Sequence, residues 1–181
     1  MKSRFNPDSR QPSLFCAGWT LGSLKYLAES GVDSITYYET AGQGGIIHGD
    51  HTPLSPGEFM AARGDVYPVY FLFRELLKFR DFSVRATESS HPFRFSSMLL
   101  EDGTDQILAL ANHTSSVQAI WLTEGMQMKS TWILDENTIA DLRLGKETWQ
   151  RPVDQSFLSL NPCAVAFVKL ISHSPNDESP D

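Results

Sequence analysis

Apolar residues in the first part of the chain recur at helical spacing, whereas those in the rest fall into short runs with a period near two. Between residues 19 and 30, Leu21, Leu24, Leu27 and Ala28 stand three and four apart, the spacing of a helix face that must be covered. Gly31 follows where a helix ends on a left-handed residue. Residues 32–39, Val-Asp-Ser-Ile-Thr-Tyr-Tyr-Glu, form a β-branched and aromatic run that reads as one strand entering the glycines at 42, 44 and 45. The stretch 40–64 has Pro53, Pro56, further glycines and no helical period, so it reads as a long loop, and such loops usually carry function. A second helix is predicted over 68–79, with Val69, Leu72, Phe73, Leu76 and Leu77 on one stripe and Pro68 in its first turn.

After Arg80 the runs are 93–100, 106–111, 117–122, 131–134, 155–160 and 164–171, separated by turn residues such as Asp102-Gly103, Glu124-Gly125 and Asn161-Pro162. About seven strands at this spacing favour an antiparallel β-sandwich. Trp121, Trp132 and Trp149 are expected in its core, because aromatic residues on sandwich strands usually pack inward. The tail 172–181, rich in Ser, Pro and acids, is expected to be disordered. The division is therefore 1–81, a helix-strand-helix segment; 82–171, the sandwich; and 172–181, the tail. The fold class is α+β.

In the first segment Val32, Ile35, Tyr37 and Tyr38 place apolar groups on both faces of the strand, as flanking parallel neighbours require, yet no second strand of that kind follows. Helix, strand, loop and helix in this order is a piece of an alternating βα architecture. Apolar stripes left open in this way signal a partner or aggregation, so poor solubility or tight association is expected.

Composition narrows the partners. Of 181 residues 41% are hydrophobic and 20% charged, and the net charge of −7 comes without any basic run, which argues against nucleic acid. No stretch approaches the roughly 20 apolar residues of a membrane helix, and the opening Met-Lys-Ser-Arg-Phe-Asn-Pro lacks a signal peptide's apolar core, so a cytoplasmic location is expected. Cys16 and Cys163 are far apart in apolar surroundings and read as buried free thiols. Asn112-His-Thr114 fits the glycosylation pattern but reads as a chance match in a turn. A complete (β/α)8 barrel of about 250 residues does not fit this length together with a sandwich. No Gly-x-Ser-x-Gly, His-Glu-x-x-His or Walker pattern occurs.

Several strings point to a family. Arg4-Phe-Asn-Pro7, Ser13-Leu-Phe-Cys-Ala-Gly-Trp-Thr-Leu-Gly-Ser-Leu-Lys-Tyr-Leu27, Ser34-Ile-Thr-Tyr-Tyr-Glu-Thr40 and Tyr67-Pro-Val-Tyr70 resemble the D-apionate lactonase family, as do Leu108-Ala-Leu-Ala-Asn-His-Thr114 and Leu160-Asn-Pro-Cys-Ala-Val165. The resemblance is to the family's C-terminal third. It implies the C-terminal fragment of a (β/α)8 barrel, its last strand and flanking helices, followed by a β-sandwich and acting on a sugar-derived lactone. On that reading the other strands lie elsewhere, and a second polypeptide or a homo-oligomer completes the barrel. Alternatives are a non-catalytic carbohydrate-binding or interaction module and a fragment of a clan A-like glycoside hydrolase, although the latter needs two carboxylates and only one stands out.

Barrel enzymes react at the C-terminal ends of their strands, which directs attention to Glu39 as the base for lactone hydrolysis. Tyr37 or Tyr38 could donate to the ring oxygen, although alternation lets only one point inward. Thr40, Gln43 and His48 are expected to touch substrate, and Arg63 to reach a carboxylate product. Gly42-Gln43-Gly44-Gly45 reads first as a plain turn and only second as an anion cradle. The family carries a Trp and a basic residue where Gln43 and Gly44 stand, so a substrate wall and a charge are absent. His48-Gly-Asp50-His51 has metal-ligand residue types but no spacing that fixes them, so neither a metal nor a cofactor is expected.

Overall fold

The computed structural model describes residues 8–50, 61–146 and 149–171. The expected disorder at 172–181, and His51, Pro53 and Pro56, lie outside the described residues. Helix α1 spans Leu14–Glu29 and ends as expected before Gly31, whose φ is 77°. It begins five residues earlier than its leucine spacing implies, because apolar side chains run round its whole circumference and blur the period. Helix α2 spans Pro68–Leu76 and tightens into a 3-10 turn over Leu77–Phe79.

The strand expected over 32–39 is largely absent. Residues 32–38 join no sheet among the described residues, and only Glu39–Ala41 (β1) pairs, in parallel, with Gly45–Ile47 (β2) inside what reads in sequence as loop. The physical reason is the one the pattern hinted at: a run apolar on both faces needs hydrogen-bonded neighbours on either side, and the described residues supply none at 32–38. Tyr38 instead takes φ 59°, a conformation rare for an aromatic residue.

The remainder is built on a five-stranded antiparallel sheet in the order β3-β4-β5-β9-β7, formed by Ser83–Arg85 (β3), Phe95–Glu101 (β4), Gln106–Asn112 (β5), Met128–Leu134 (β7) and Val165–Leu170 (β9). Gln118–Trp121 (β6) and Phe157–Leu160 (β8) form a second, two-stranded antiparallel sheet. A short helix over Ile139–Arg143 (α3) and strand β3 were not legible in the pattern. Alternation sorts the large sheet's side chains into two cores. Ile107, Ala109, Trp132, Val165 and Phe167 face α1 and α2 with Leu21, Val69, Phe71 and Leu72. Leu108, Leu110, Ala166 and Val168 face the small sheet with Ile120, Leu158 and Leu160. The molecule therefore has three layers, helices over a five-stranded sheet over a two-stranded one. The first core crosses the compositional boundary near residue 82.

Trp132 and Trp149 pack inward, but into the core between the large sheet and the helices rather than between the two sheets, and Trp121 does not pack inward. It is 69% exposed and leans on Phe157, ring centroids 4.7 Å apart, because the two-stranded layer has nothing over its outer face among the described residues. Cys16 is buried and Cys163 half-buried, both as free thiols. Asn112 is consumed structurally: its Nδ2 donates to the carbonyls of Ser116 and Asn161 at 2.8 Å, and its Oδ1 accepts from Thr114 N–H at 2.9 Å.

Where α1 crosses β4, Gly22 leaves room that any side chain would fill, since a Cβ there would lie 3.1 Å from both the His113 ring and Ser96 Oγ. His113 Nε2 lies 2.7 Å from Ser96 Oγ, and burial holds its pKa below the ordinary histidine value. A depressed histidine favours the folded state above the unfolded pKa near 6.5, and that contribution is lost as pH falls through the lower folded value. Acidification from pH 7 to 5 should therefore lower the melting temperature less in His113→Gln than in the parent, as a thermal scan would read. Equal slopes would refute this.

Candidate functional site

The end of β1 is built around Gly42. Its φ of 136° disfavours any side chain, and a Cβ added there would lie 2.9 Å from Glu39 Oε2, so the Glu39 carboxylate folds over bare backbone. The turn is closed by Glu39 N–H to Gly44 O at 3.3 Å, Gly42 N–H to Ile47 O at 2.9 Å and Gly45 N–H to Gly42 O at 3.1 Å. Glu39 and Thr40 are exposed, and Gln43 is half-buried beside them.

Beneath the turn, His48 is fully buried, with Nδ1 2.7 Å from Tyr67 Oη, and that phenol also lies 3.4 Å from the Gly42 carbonyl. Burial pushes the Tyr67 phenol up to about 12, so it holds its proton at neutral pH. His48 N–H donates to Asp65 O at 2.8 Å, and Gly64 N–H donates to His48 O at 2.7 Å. Arg63, exposed, directly precedes this crossing. His48 thus sits as an internal brace beneath the turn that holds Gln43, its imidazole shielded from solvent in this structure.

The two tyrosines do not alternate. Tyr37 Oη lies 2.5 Å from Ser23 Oγ and Tyr38 Oη 2.8 Å from Thr20 Oγ1, so both hydroxyls meet α1, and both rings pack on Phe73 of α2. The turned backbone at Tyr38 is what puts successive side chains on the same side. Sequence reading also missed a cavity of about 260 Å³ where Tyr38 meets the start of α1, lined by Arg10, Gln11, Phe15, Cys16 and Trp19 among others. Gln11 is its structural pin, donating from Nε2 to Gly45 O at 2.8 Å, and burial pushes the Cys16 thiol up, away from the reactive thiolate. Arg10 is paired with Asp8, whose carboxyl its hydrogen bonds lower to about 2. No local spacing announces this cluster, which exists only once 10–16 meets 38. Among the described residues no group of three or more His, Cys, Asp or Glu could hold a metal ion. Nor is any helix among them long and apolar enough to cross a membrane.

The segment that carries Glu39, its turn and both helices coincides with a family match. Residues 3–81 match the D-apionate lactonase TIM barrel domain. The matched segment stops two residues short of β3, and the similar strings at 108–114 and 160–165 fall outside it. A comparison with curated proteins found no match. Among solved structures, the trehalulose synthase MutB from Pseudomonas mesoacidophila MX-45 is 17% identical, covering 57% of this chain and 18% of its own, with a TM-score of 0.43. The isomaltulose synthase PalI from Klebsiella sp. LX3 is 11% identical with the same coverage and score. The chain thus spans under a fifth of either protein, and a likeness at that level carries no functional conclusion.

Proposed function

We propose that this chain is the C-terminal portion of a sugar-lactone hydrolase resembling D-apionate lactonase, inactive until other barrel strands join it. The observation that carries this reading is the match of a TIM barrel domain to 3–81, the part of the chain that runs helix, strand end, glycine turn, helix. A barrel needs eight parallel strands, whereas the described residues hold one parallel pair of three residues each. The left-handed φ at Tyr38 costs on the order of 1–3 kcal/mol and is relieved if 35–38 straighten between neighbours, which favours completion.

In the completed site, Glu39 takes the proton of a water whose oxygen bonds to the lactone carbonyl carbon. As the ring C–O bond breaks, the proton passes to the departing alkoxide, leaving a hydroxy acid that releases its remaining acidic proton to solvent to become the carboxylate. Glu39 itself is the proton carrier in both halves, giving the departing alkoxide the proton it took from the water. Thr40 and Gln43 contact the sugar, and Arg63 receives the new carboxylate. The test is reconstitution: the chain mixed or co-expressed with the remaining barrel strands of a D-apionate lactonase should hydrolyse D-apionolactone, and the chain alone should not exceed the buffer rate. A rate from the chain alone near that of a complete lactonase would refute the reading.

A second reading, a non-catalytic saccharide-binding sandwich, rests on the exposed Trp121 against Phe157. Saccharide binding lost in Trp121→Ala would favour it.

A further inference from the structure

We propose that the groove between α1 and the loop before β4 binds an uncharged saccharide, at a site separate from the Glu39 turn and independent of the lactonase reading. The cavity is about 640 Å³, within the size range of small-ligand pockets. Trp19 and Tyr26 stand seven residues apart on α1, hence on one face two turns apart, and are 53% and 54% exposed. Phe93, 95% exposed, forms the facing wall from the loop. Lys25 Nζ lies 4.7 Å over the Tyr26 ring and steadies it.

Between the two aromatic residues the helix offers only Gly22 and Ser23, so the wall is interrupted by a slot. The slot has polar groups in it. Ser23 Oγ is fixed by Tyr37 Oη, and Ser96 Oγ is paired with one ring nitrogen of His113, each hydroxyl keeping further hydrogen-bonding capacity. A purely apolar partner would strip water from these groups without replacing its hydrogen bonds. A sugar ring has the matching chemistry: a C–H face to lie on an aromatic ring and edge hydroxyls to reach a serine and an imidazole. No Asp, Glu, Lys or Arg lines the groove among the described residues, which selects a neutral sugar over an aldonate or a phosphorylated one.

The full chain is titrated with methyl β-D-glucopyranoside, sucrose and cellotetraose by calorimetry and tryptophan fluorescence. At least one should bind saturably, with Kd on the order of millimolar, weakened about tenfold or more in Trp19→Ala and in Phe93→Ala and unchanged in Trp121→Ala. Phe93 is nearly all in solvent, so its variant keeps the fold even if Trp19→Ala does not. Absence of saturation at about 100 mM for all three sugars, or binding equal to the parent in Phe93→Ala, overturns the proposal. So does a self-association in the ultracentrifuge that both variants abolish while no sugar binds, which assigns the groove to a protein contact.

Discussion

Replacing Phe167 by alanine is expected to cost about 3–5 kcal/mol of folding stability. Phe167 lies at the middle of β9, the sheet's second-innermost crossing, with no exposed surface. Its ring sits 5.9 Å from that of Phe79, which follows α2, and 5.6 Å from that of Trp132 on β7. The side chain therefore joins the helical layer to the sheet, and neither neighbour can move in without leaving its own partners. Domains of this size are stable by only about 5–15 kcal/mol, so the loss removes a large share of the total. Urea unfolding should show the midpoint falling sharply at unchanged slope. A loss below about 1 kcal/mol would mean that the helices and sheet do not share one core.

The second large effect concerns chemistry alone. In the reconstituted enzyme, Glu39→Gln should lower kcat for lactone hydrolysis by about 100- to 10,000-fold, the usual worth of a positioned general base. Glu39 is exposed and makes no ion pair among those the described residues show, so the urea midpoint of the chain should not move with it. A loss of only a few-fold would remove Glu39 from the catalytic role and leave the glycine turn as mere structure.

What was legible in the sequence follows from how each segment is covered. Helix α2 has one apolar stripe against one core, and its spacing marks it from Pro68 onward. The start of α1 is blurred because Trp19, Tyr26 and Leu27 line a groove on the side opposite Leu21 and Ala17, so no polar face sets the period. Strands β5 and β9 read as apolar runs rather than clean alternation because helices cover one face and β6 and β8 the other. Strand β2 is invisible in a run of glycines, being held by a parallel pairing across a three-residue turn. The position of Glu39 was legible from its place after an apolar run. The burial of His48 was not, since it depends on Tyr67 and on the crossing with Asp65 and Gly64.

The proposed completion requires that residues 32–38 form a strand only when neighbours from other barrel strands flank them. Amide hydrogen exchange measures this directly at Ile35, Thr36 and Tyr37. In the chain alone these amides should exchange close to the rate of an unstructured peptide while those of β5 and β9 remain protected, and reconstitution should slow all three. Protection of the three amides in the chain by itself, equal to that of β9, would contradict the account.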